Sequence, residues 1–276
     1  MKSKCVRNIA GFIYSKFYSE ELLIVNWILK NKQLLIENID DKVNEEELYE
    51  TICDTRTQYY ETLVNCLKKA IDHHAPSNRV CIREDIDGIF ISLSELGSRI
   101  DPSCEKDMYK KFKQIEIKEK MEKGLIYETF CTKFLGDLGL EAEKTKASND
   151  KGIDIIAKYK SQLPNPNSSL VFDDYIYLIG QAKFYNSKVD TPIIRKLVGD
   201  SLFIRFDQLE YLQLSHNAIH LFVFSHKGFT DNAIDFCTRN KVMRIDTTQM
   251  ISIITSLPNP EETTSFKYLK GIDIEE

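Results

Sequence analysis

Two apolar runs, separated by a polar loop, constrain the fold of this chain more than any other feature. The first covers residues 153–159, after a Lys-Gly turn signal, and the second covers residues 175–184. Their length and β-branched content are typical of buried strands, and the Pro and Asn residues of the loop 161–174 favour a connection between them. We therefore expect the two runs to be neighbouring strands of one sheet.

Polar side chains lie at the ends of these two predicted strands. Asp154 stands at the start of the first run, and Gln181 and Lys183 stand at the end of the second. Residues two apart on a strand point to the same face, so Gln181 and Lys183 emerge together, and Asp154 joins them if the strands are paired. Such a set can hold Mg²⁺ through oxygen atoms beside an ammonium group, which suits hydrolysis of a phosphodiester.

Three sequence elements together resemble a known family. They are the Tyr-Glu pair ending at Glu128, the Asp-Lys-Gly-Ile-Asp stretch ending at Asp154, and Gln-Ala-Lys ending at Lys183. This set resembles the Mrr-type catalytic domain of the PD-(D/E)xK nucleases, in the variant where Gln replaces the first acid of the ExK element. The resemblance covers residues 124–254. It implies that Asp154, Gln181 and Glu128 lie at a site for Mg²⁺, with Mn²⁺ able to replace it, and that Lys183 is the catalytic lysine.

Each of these residues taken alone also has a structural explanation. Asp154 could cap a turn, Lys183 could be a solvated strand end, and Glu128 could be one more exposed helix charge. The combination favours a site, because a half-buried strand does not carry a Gln and a Lys on one face unless they have partners. Asp150 is interpreted as a turn former.

Charge and cysteine content exclude several classes of protein. The formal net charge of −5 argues against a protein that coats nucleic acid by bulk attraction, so a DNA-binding face must be a local basic patch. The seven cysteines include no C-x-x-C pair, which argues against a zinc ribbon or a disulfide framework. Free thiols indicate a reducing compartment, and we expect the protein to be cytoplasmic. The five histidines are interpreted as structural or exposed.

No segment predicts a membrane span, a secretion signal or a nucleotide cofactor. The most apolar stretch, residues 22–29, is too short for a bilayer that needs about 20 apolar residues. Lys16 interrupts the apolar run near the start of the chain, so a signal peptide is not expected.

The order of predicted elements defines the expected fold class. Residues 121–257 read as helix, three strands, helix, strand, helix, strand and helix, which predicts an α/β, restriction-endonuclease-like core with a mixed central sheet flanked by helices. Residues 1–120 predict a mainly α-helical region for recognition or assembly, and residues 258–276 a loose polar tail. Within the first region, the pattern of residues 79–100 fits either two short strands or pieces of helix.

Residues 104–138 predict one long helix or two helices in tandem. Lysines and acids alternate along the first half of this stretch, up to Lys123. Such mixed charge is typical of a solvated, salt-bridged face. The alternative is a connector that contacts phosphates.

The sequence therefore predicts a Mg²⁺-dependent DNA endonuclease of restriction type, acting on double-stranded DNA in defence against foreign DNA. A structure-selective nuclease of the junction-resolvase kind and a catalytically inactive DNA-binding module are the alternatives. Because a double-strand break needs two sites, we expect a homodimer, with the N-terminal helices as its interface and as the part that selects the target. A nicking monomer or a transient dimer is the alternative.

Overall fold

The structure is a computed structural model that describes residues 3–38, 45–74, 77–145, 152–160, 175–206 and 218–272. Asp150 and the loop 161–174, both considered above, lie outside the described residues. The chain forms two compact units, Met1–Ile100 and Asp101–Glu276. None of the helices in the described ranges is long and apolar enough to cross a bilayer.

The first unit combines helices with a small antiparallel sheet. Its helices are α1 (Ser3–Lys16), α2 (Ile24–Lys30), α3 (Lys32–Asn38), α4 (Glu45–Leu48), α5 (Gln58–His74) and α6 (Glu95–Arg99), with a π-helical turn at Tyr49–Cys53. Its strands are β1 (Leu22–Leu23), β2 (Val80–Asp85) and β3 (Gly88–Leu93), in the order β1-β3-β2. Residues 79–100, for which the sequence did not decide between strands and helix, thus form mainly a β-hairpin.

The second unit is an α/β fold. Its helices are α7 (Pro102–Ile115), α8 (Lys120–Asp137), α9 (Thr191–Phe206), α10 (Asp231–Asn240), α11 (Thr247–Ser256) and α12 (Thr264–Lys270). Its strands are β4 (Glu141–Lys144), β5 (Ile155–Lys160), β6 (Tyr175–Lys183), β7 (Ala218–Ser225) and β8 (Met243–Asp246). The predicted tandem of helices before the sheet is α7 followed by α8.

The five strands form one mixed sheet in the order β4-β5-β6-β7-β8. The β4–β5 and β5–β6 pairs are antiparallel, and the β6–β7 and β7–β8 pairs are parallel. Alternate residues of β6 enter two cores: Leu178 and Ala182 pack with α7, α8, α11 and α12, while Tyr177 and Ile179 pack with α9 and α10. The predicted mixed sheet flanked by helices is confirmed.

The boundary between the two units differs from the predicted position near residue 120. Helix α7 belongs to the second unit, where its buried residues Met108 and Phe112 share a core with Phe130 of α8. In addition, the Asp101 N–H donates to the Thr255 carbonyl at 2.9 Å. These contacts join α7 to the sheet-containing unit.

The predicted loose tail also differs, because it contains the packed helix α12. Phe266 and Leu269 are 4% and 1% exposed, and both belong to the core beneath the sheet. The Asp137 carboxylate accepts hydrogen bonds from the Thr264 and Ser265 N–H groups, at 2.7 and 2.9 Å. Two apolar side chains and this cap are enough to order a segment whose overall composition is polar.

Candidate active site

The backbone at Asp154 extends the sheet by one residue beyond β5. The Asp154 N–H donates to the Gly180 carbonyl of β6, and the Thr145 N–H donates to the Asp154 carbonyl, both at 3.0 Å. The β5–β6 register starts with Ile155 opposite Gly180, so Asp154 directly precedes this pair and Gln181 directly follows it on the neighbouring strand. The two predicted strands are therefore antiparallel neighbours, and their polar ends coincide.

Asp154 and Lys183 are in direct contact. Lys183 Nζ lies 3.0 Å from Asp154 Oδ2, and the Ala182 N–H donates to the same oxygen at 2.9 Å. The Asp154 side chain is only 10% exposed, so this ion pair is shielded from solvent more than a surface pair is. No hydrogen bond from the described residues reaches Asp154 Oδ1. Both hydrogen bonds to this carboxylate thus converge on one oxygen, which also orients the lysine.

Gln181 is buried next to this pair, and only half of its amide is satisfied. Its Nε2 donates to the Gly152 carbonyl, which fixes the orientation of the amide. Its Oε1 is buried and has no hydrogen-bond partner among the described residues, although the side chain is only 4% exposed. An unpaired buried acceptor is costly, and a bound cation or its water would satisfy it.

Gly152 shapes the turn that leads into Asp154. Its φ of +80° is a left-handed conformation that glycine adopts without strain. A Cβ at this position would lie 2.3 Å from Asp200 Oδ2 on α9. The left-handed backbone thus accounts for the glycine of the Lys-Gly-Ile-Asp stretch, and the Asp200 side chain of α9 lies close to it. The sequence carries no local signal for Asp200, because this contact joins distant segments.

Glu128 lies on α8, half-buried, one helical turn before Cys131. Burial raises the pKa of the Cys131 thiol well above its ordinary value, and the negative charges of Glu128 and Asp154 raise it further. Both carboxylates therefore lie in the electrostatic neighbourhood of one buried sulfur.

A fit test for a divalent metal rests on this oxygen set. The described residues contain no group of three or more His, Cys, Asp or Glu side chains placed to hold an ion. The candidate donors are instead the carboxylate of Asp154 and the amide oxygen of Gln181, which is buried without a partner among the described residues. An all-oxygen set of carboxylate and amide groups suits Mg²⁺, which keeps several of its waters. The residues present fit such an ion.

A buried polar network beside the site has no local signal in the sequence. His226 Nε2 donates to Glu116 Oε1 at 2.8 Å, and the Lys227 ammonium donates to the same oxygen. With Nε2 protonated, Nδ1 accepts from Thr247 Oγ1 at 3.1 Å, and Thr247 Oγ1 in turn accepts from the Tyr127 hydroxyl at 3.0 Å. The network ties the end of β7 to α8 and α11.

The His226 ring is also the centre of an aromatic stack. It lies 4.0 Å from the Phe184 ring, with an interplanar angle of 12°. Burial lowers the pKa of the His226 imidazole below its ordinary value, although the hydrogen bond to Glu116 opposes that shift. His226 is therefore a structural histidine, as the sequence analysis interpreted it, and it is held neutral.

This lowered pKa predicts an acid-dependent loss of stability. Between the folded and unfolded pKa values the unfolded chain binds the proton more readily, so stability falls as the pH drops below about 6.5. When the pH is lowered from 8 to 5, we expect the thermal midpoint to decrease less in His226→Gln than in the parent protein. Differential scanning calorimetry across that range measures both. An equal fall in both proteins would show that His226 does not contribute.

Helices lie on both faces of the five-stranded mixed sheet, and an acid and a lysine are in contact where β5 begins and β6 ends. Residues 120–254, a little under half of the chain, match the family model Mrr_cat, described as a restriction endonuclease.

Two solved structures are similar to part of this chain. The MspJI restriction endonuclease in complex with a 27-mer oligonucleotide has 14% identity and a TM-score of 0.40, over 64% of this chain and 37% of that one. The DNA modification-dependent restriction endonuclease AspBHI has 12% identity and a TM-score of 0.40, over 65% of this chain and 42% of that one. This chain thus spans less than half the length of either protein. No curated protein matches the sequence.

Proposed function

We propose that the protein is a Mg²⁺-dependent DNA endonuclease of restriction type, acting in the cytoplasm in defence against foreign DNA. The observation that carries this proposal is the contact between Lys183 Nζ and Asp154 Oδ2, beside the unpaired buried oxygen of Gln181. The matched restriction endonuclease family, which generally uses divalent metal ions, supports it.

The proposed mechanism assigns a role to each residue. Asp154, Gln181 and Glu128 would hold Mg²⁺, or Mn²⁺ in its place. When bound, such an ion polarises a phosphoryl oxygen and lowers the pKa of a coordinated water. Lys183 places a positive charge near the phosphate oxygens, where negative charge develops during the reaction. Asp154 fixes the position of the Lys183 ammonium. Burial of Gln181 and partial burial of Asp154 keep bulk water from screening these charges.

The direct test is cleavage of closed circular DNA. We expect the protein to convert modified or unmodified supercoiled plasmid to linear DNA with Mg²⁺, and to leave it intact with a chelator. A structure-selective nuclease would instead cut a four-way junction and spare the plasmid. A catalytically inactive DNA-binding module would bind either DNA and cut neither, and that result would reject the proposal.

Gln181→Glu tests the assignment of Gln181 as a metal ligand. The substitution places a carboxylate oxygen against the Gly152 carbonyl and removes the donated hydrogen bond, so we expect lower stability without metal. The added charge strengthens cation binding, so Mg²⁺ should raise the thermal midpoint more in this variant than in the parent, and cleavage should persist with a changed metal preference.

Gln114→Glu is the matched control for this test. Gln114 lies on α7, and its Oε1 is also buried without a partner among the described residues. We expect Mg²⁺ to affect this control no more than the parent. If Mg²⁺ stabilises Gln181→Glu and Gln114→Glu equally, Gln181 is not a ligand.

A homodimer on DNA follows from the proposed reaction. Two strands must be cut, and two-fold symmetry presents two sites in the relation that the duplex itself has. We propose that the N-terminal unit supplies both the interface and the selection of the target. Sedimentation velocity should show two chains in each DNA complex. A complex of one chain per duplex that breaks both strands in one binding event would contradict the dimer.

A further inference from the structure

Two lysines from distant parts of the chain meet at one glutamate beside the candidate active site. The Lys227 ammonium binds the Glu116 carboxylate, and Lys123 Nζ lies 3.4 Å from the Glu116 carbonyl oxygen. Lys123 Nζ also lies 5.9 Å from the centre of the Phe184 ring. We call Lys123 and Lys227 the lysine pair.

The lysine pair is linked to the end of β6 through the neighbouring residues His226 and Phe184. The His226 N–H donates to the Lys183 carbonyl at 3.0 Å, which places residue 227 next to the end of β6. Phe184, which follows Lys183, stacks on His226 and lies beneath Lys123. Lys227 therefore follows β7 beside the end of β6, and Lys123 of α8 lies over the residue that follows Lys183.

The anchoring of Glu116 distinguishes this arrangement from an ordinary surface ion pair. The His226 side chain that binds Glu116 is 5% exposed, so the carboxylate is held from the protein interior. Burial raises the pKa of the Glu116 carboxyl, but the hydrogen bonds from Lys227 and His226 outweigh it and leave this pKa below its ordinary value. Glu116 is therefore charged at neutral pH and holds the Lys227 ammonium in place.

The lysines retain the capacity to bind an anion. An ammonium group has three donors, and Glu116 accepts one from Lys227, whose side chain is 41% exposed. With a formal net charge of −5, the chain depends on such local cations to approach a polyanion.

We propose that the lysine pair forms a subsite for a backbone phosphodiester of DNA, adjacent on the same strand to the phosphodiester that is placed at Lys183. This inference rests on the proposed function and extends it. The subsite fixes the register of the strand along the sheet edge and reads no base, because phosphate contacts position a protein without specifying sequence. The sequence left two interpretations of the lysine-rich segment, a solvated face and a connector that contacts phosphates. The proposal assigns the phosphate contact to Lys123 among the lysines of that segment.

The test is the salt dependence of DNA binding by the full-length protein. Duplex affinity is measured with Ca²⁺ in place of Mg²⁺, to limit cleavage, between about 50 and 200 mM salt. Losing one phosphate contact lowers the slope of log affinity against log salt by about 0.9. We expect Lys123→Ala combined with Lys227→Ala to show this loss, with affinity at the lowest salt reduced about tenfold.

Two further variants separate phosphate binding from a structural role. Lys133→Ala removes a lysine from the same helix, α8, where it lies over the ring of Tyr268, and it should keep the parent slope. Lys227→Arg keeps the cation and should also keep the slope. A slope that falls equally in Lys133→Ala, or falls in Lys227→Arg, would overturn the subsite.

The outcomes also separate this inference from the proposed function. A parent protein that binds and cuts DNA, while the double lysine variant keeps the parent slope, overturns the subsite alone. A parent protein that neither binds nor cuts DNA overturns the proposed function and the subsite with it. Equal thermal midpoints in the parent and the double variant show that a changed slope does not come from unfolding.

Discussion

Replacing Asp154 by Asn reduces DNA cleavage by at least about 10²–10³, the loss expected when an electrostatic stabiliser is removed. The amide keeps the size of the side chain but loses the negative charge that holds Lys183 Nζ at 3.0 Å and that, in the proposed mechanism, attracts the metal ion. Lys183→Met should cause a loss of similar size, because no ammonium group then offsets the negative charge that develops on the phosphate. Single-turnover cleavage rates with saturating enzyme measure both.

A second ion pair in the same sheet supplies matched controls. Lys158 on β5 and Glu141 on β4 form a pair at 3.2 Å, with side chains 37% and 68% exposed. Glu141→Gln and Lys158→Met repeat the two substitutions away from the site, and they should cut at the parent rate. The assignment fails if Asp154→Asn and Lys183→Met cut as fast as these controls.

Replacing Gly180 by Ala destabilises the second unit by about 3 kcal/mol, the upper range for overpacking a core. Gly180 lies on β6 opposite Phe222 of β7. A Cβ at Gly180 would lie 2.3 Å from the Phe222 carbonyl oxygen and 2.5 Å from its Cδ2 atom. Backbone and ring must both shift, and the shift displaces the strand that ends in Gln181 and Lys183. Chemical denaturation measures the loss.

Gly136→Ala is the control for this substitution. Gly136 lies on α8, where an added Cβ meets nothing within 4 Å. Alanine is a better helix former than glycine, so the change should stabilise the protein by up to about 1 kcal/mol. Equal stability of the two variants would mean that β6 and β7 do not approach as closely as the structure has them.

The centre of the fold was predictable because its signals are local. Alternation along residues 175–184 is enough to place Gln181 and Lys183 on one face, and two neighbouring apolar runs predict the β5–β6 pair. The position of Asp154 beside the end of β6 follows once the strands are antiparallel. Each step needs only a period of two and a turn signal.

The surroundings of the site were not predictable from the sequence. Glu116 and His226 are 110 positions apart, and neither belongs to a motif whose spacing predicts their contact. The same holds for Gly152 and Asp200, which meet only because α9 crosses the face of the sheet. Helix α12 escaped prediction because Phe266 and Leu269 are its two core residues in a polar segment.

The location of a bound metal tests the central claim most directly. Crystals of the parent protein with Mn²⁺, measured at a wavelength where manganese scatters anomalously, should show a peak in contact with the Asp154 carboxylate and Gln181 Oε1. The same preparation should cut plasmid DNA with Mn²⁺. A peak that contacts neither residue, or no peak in a preparation that cuts DNA with Mn²⁺, would contradict the assignment of this site.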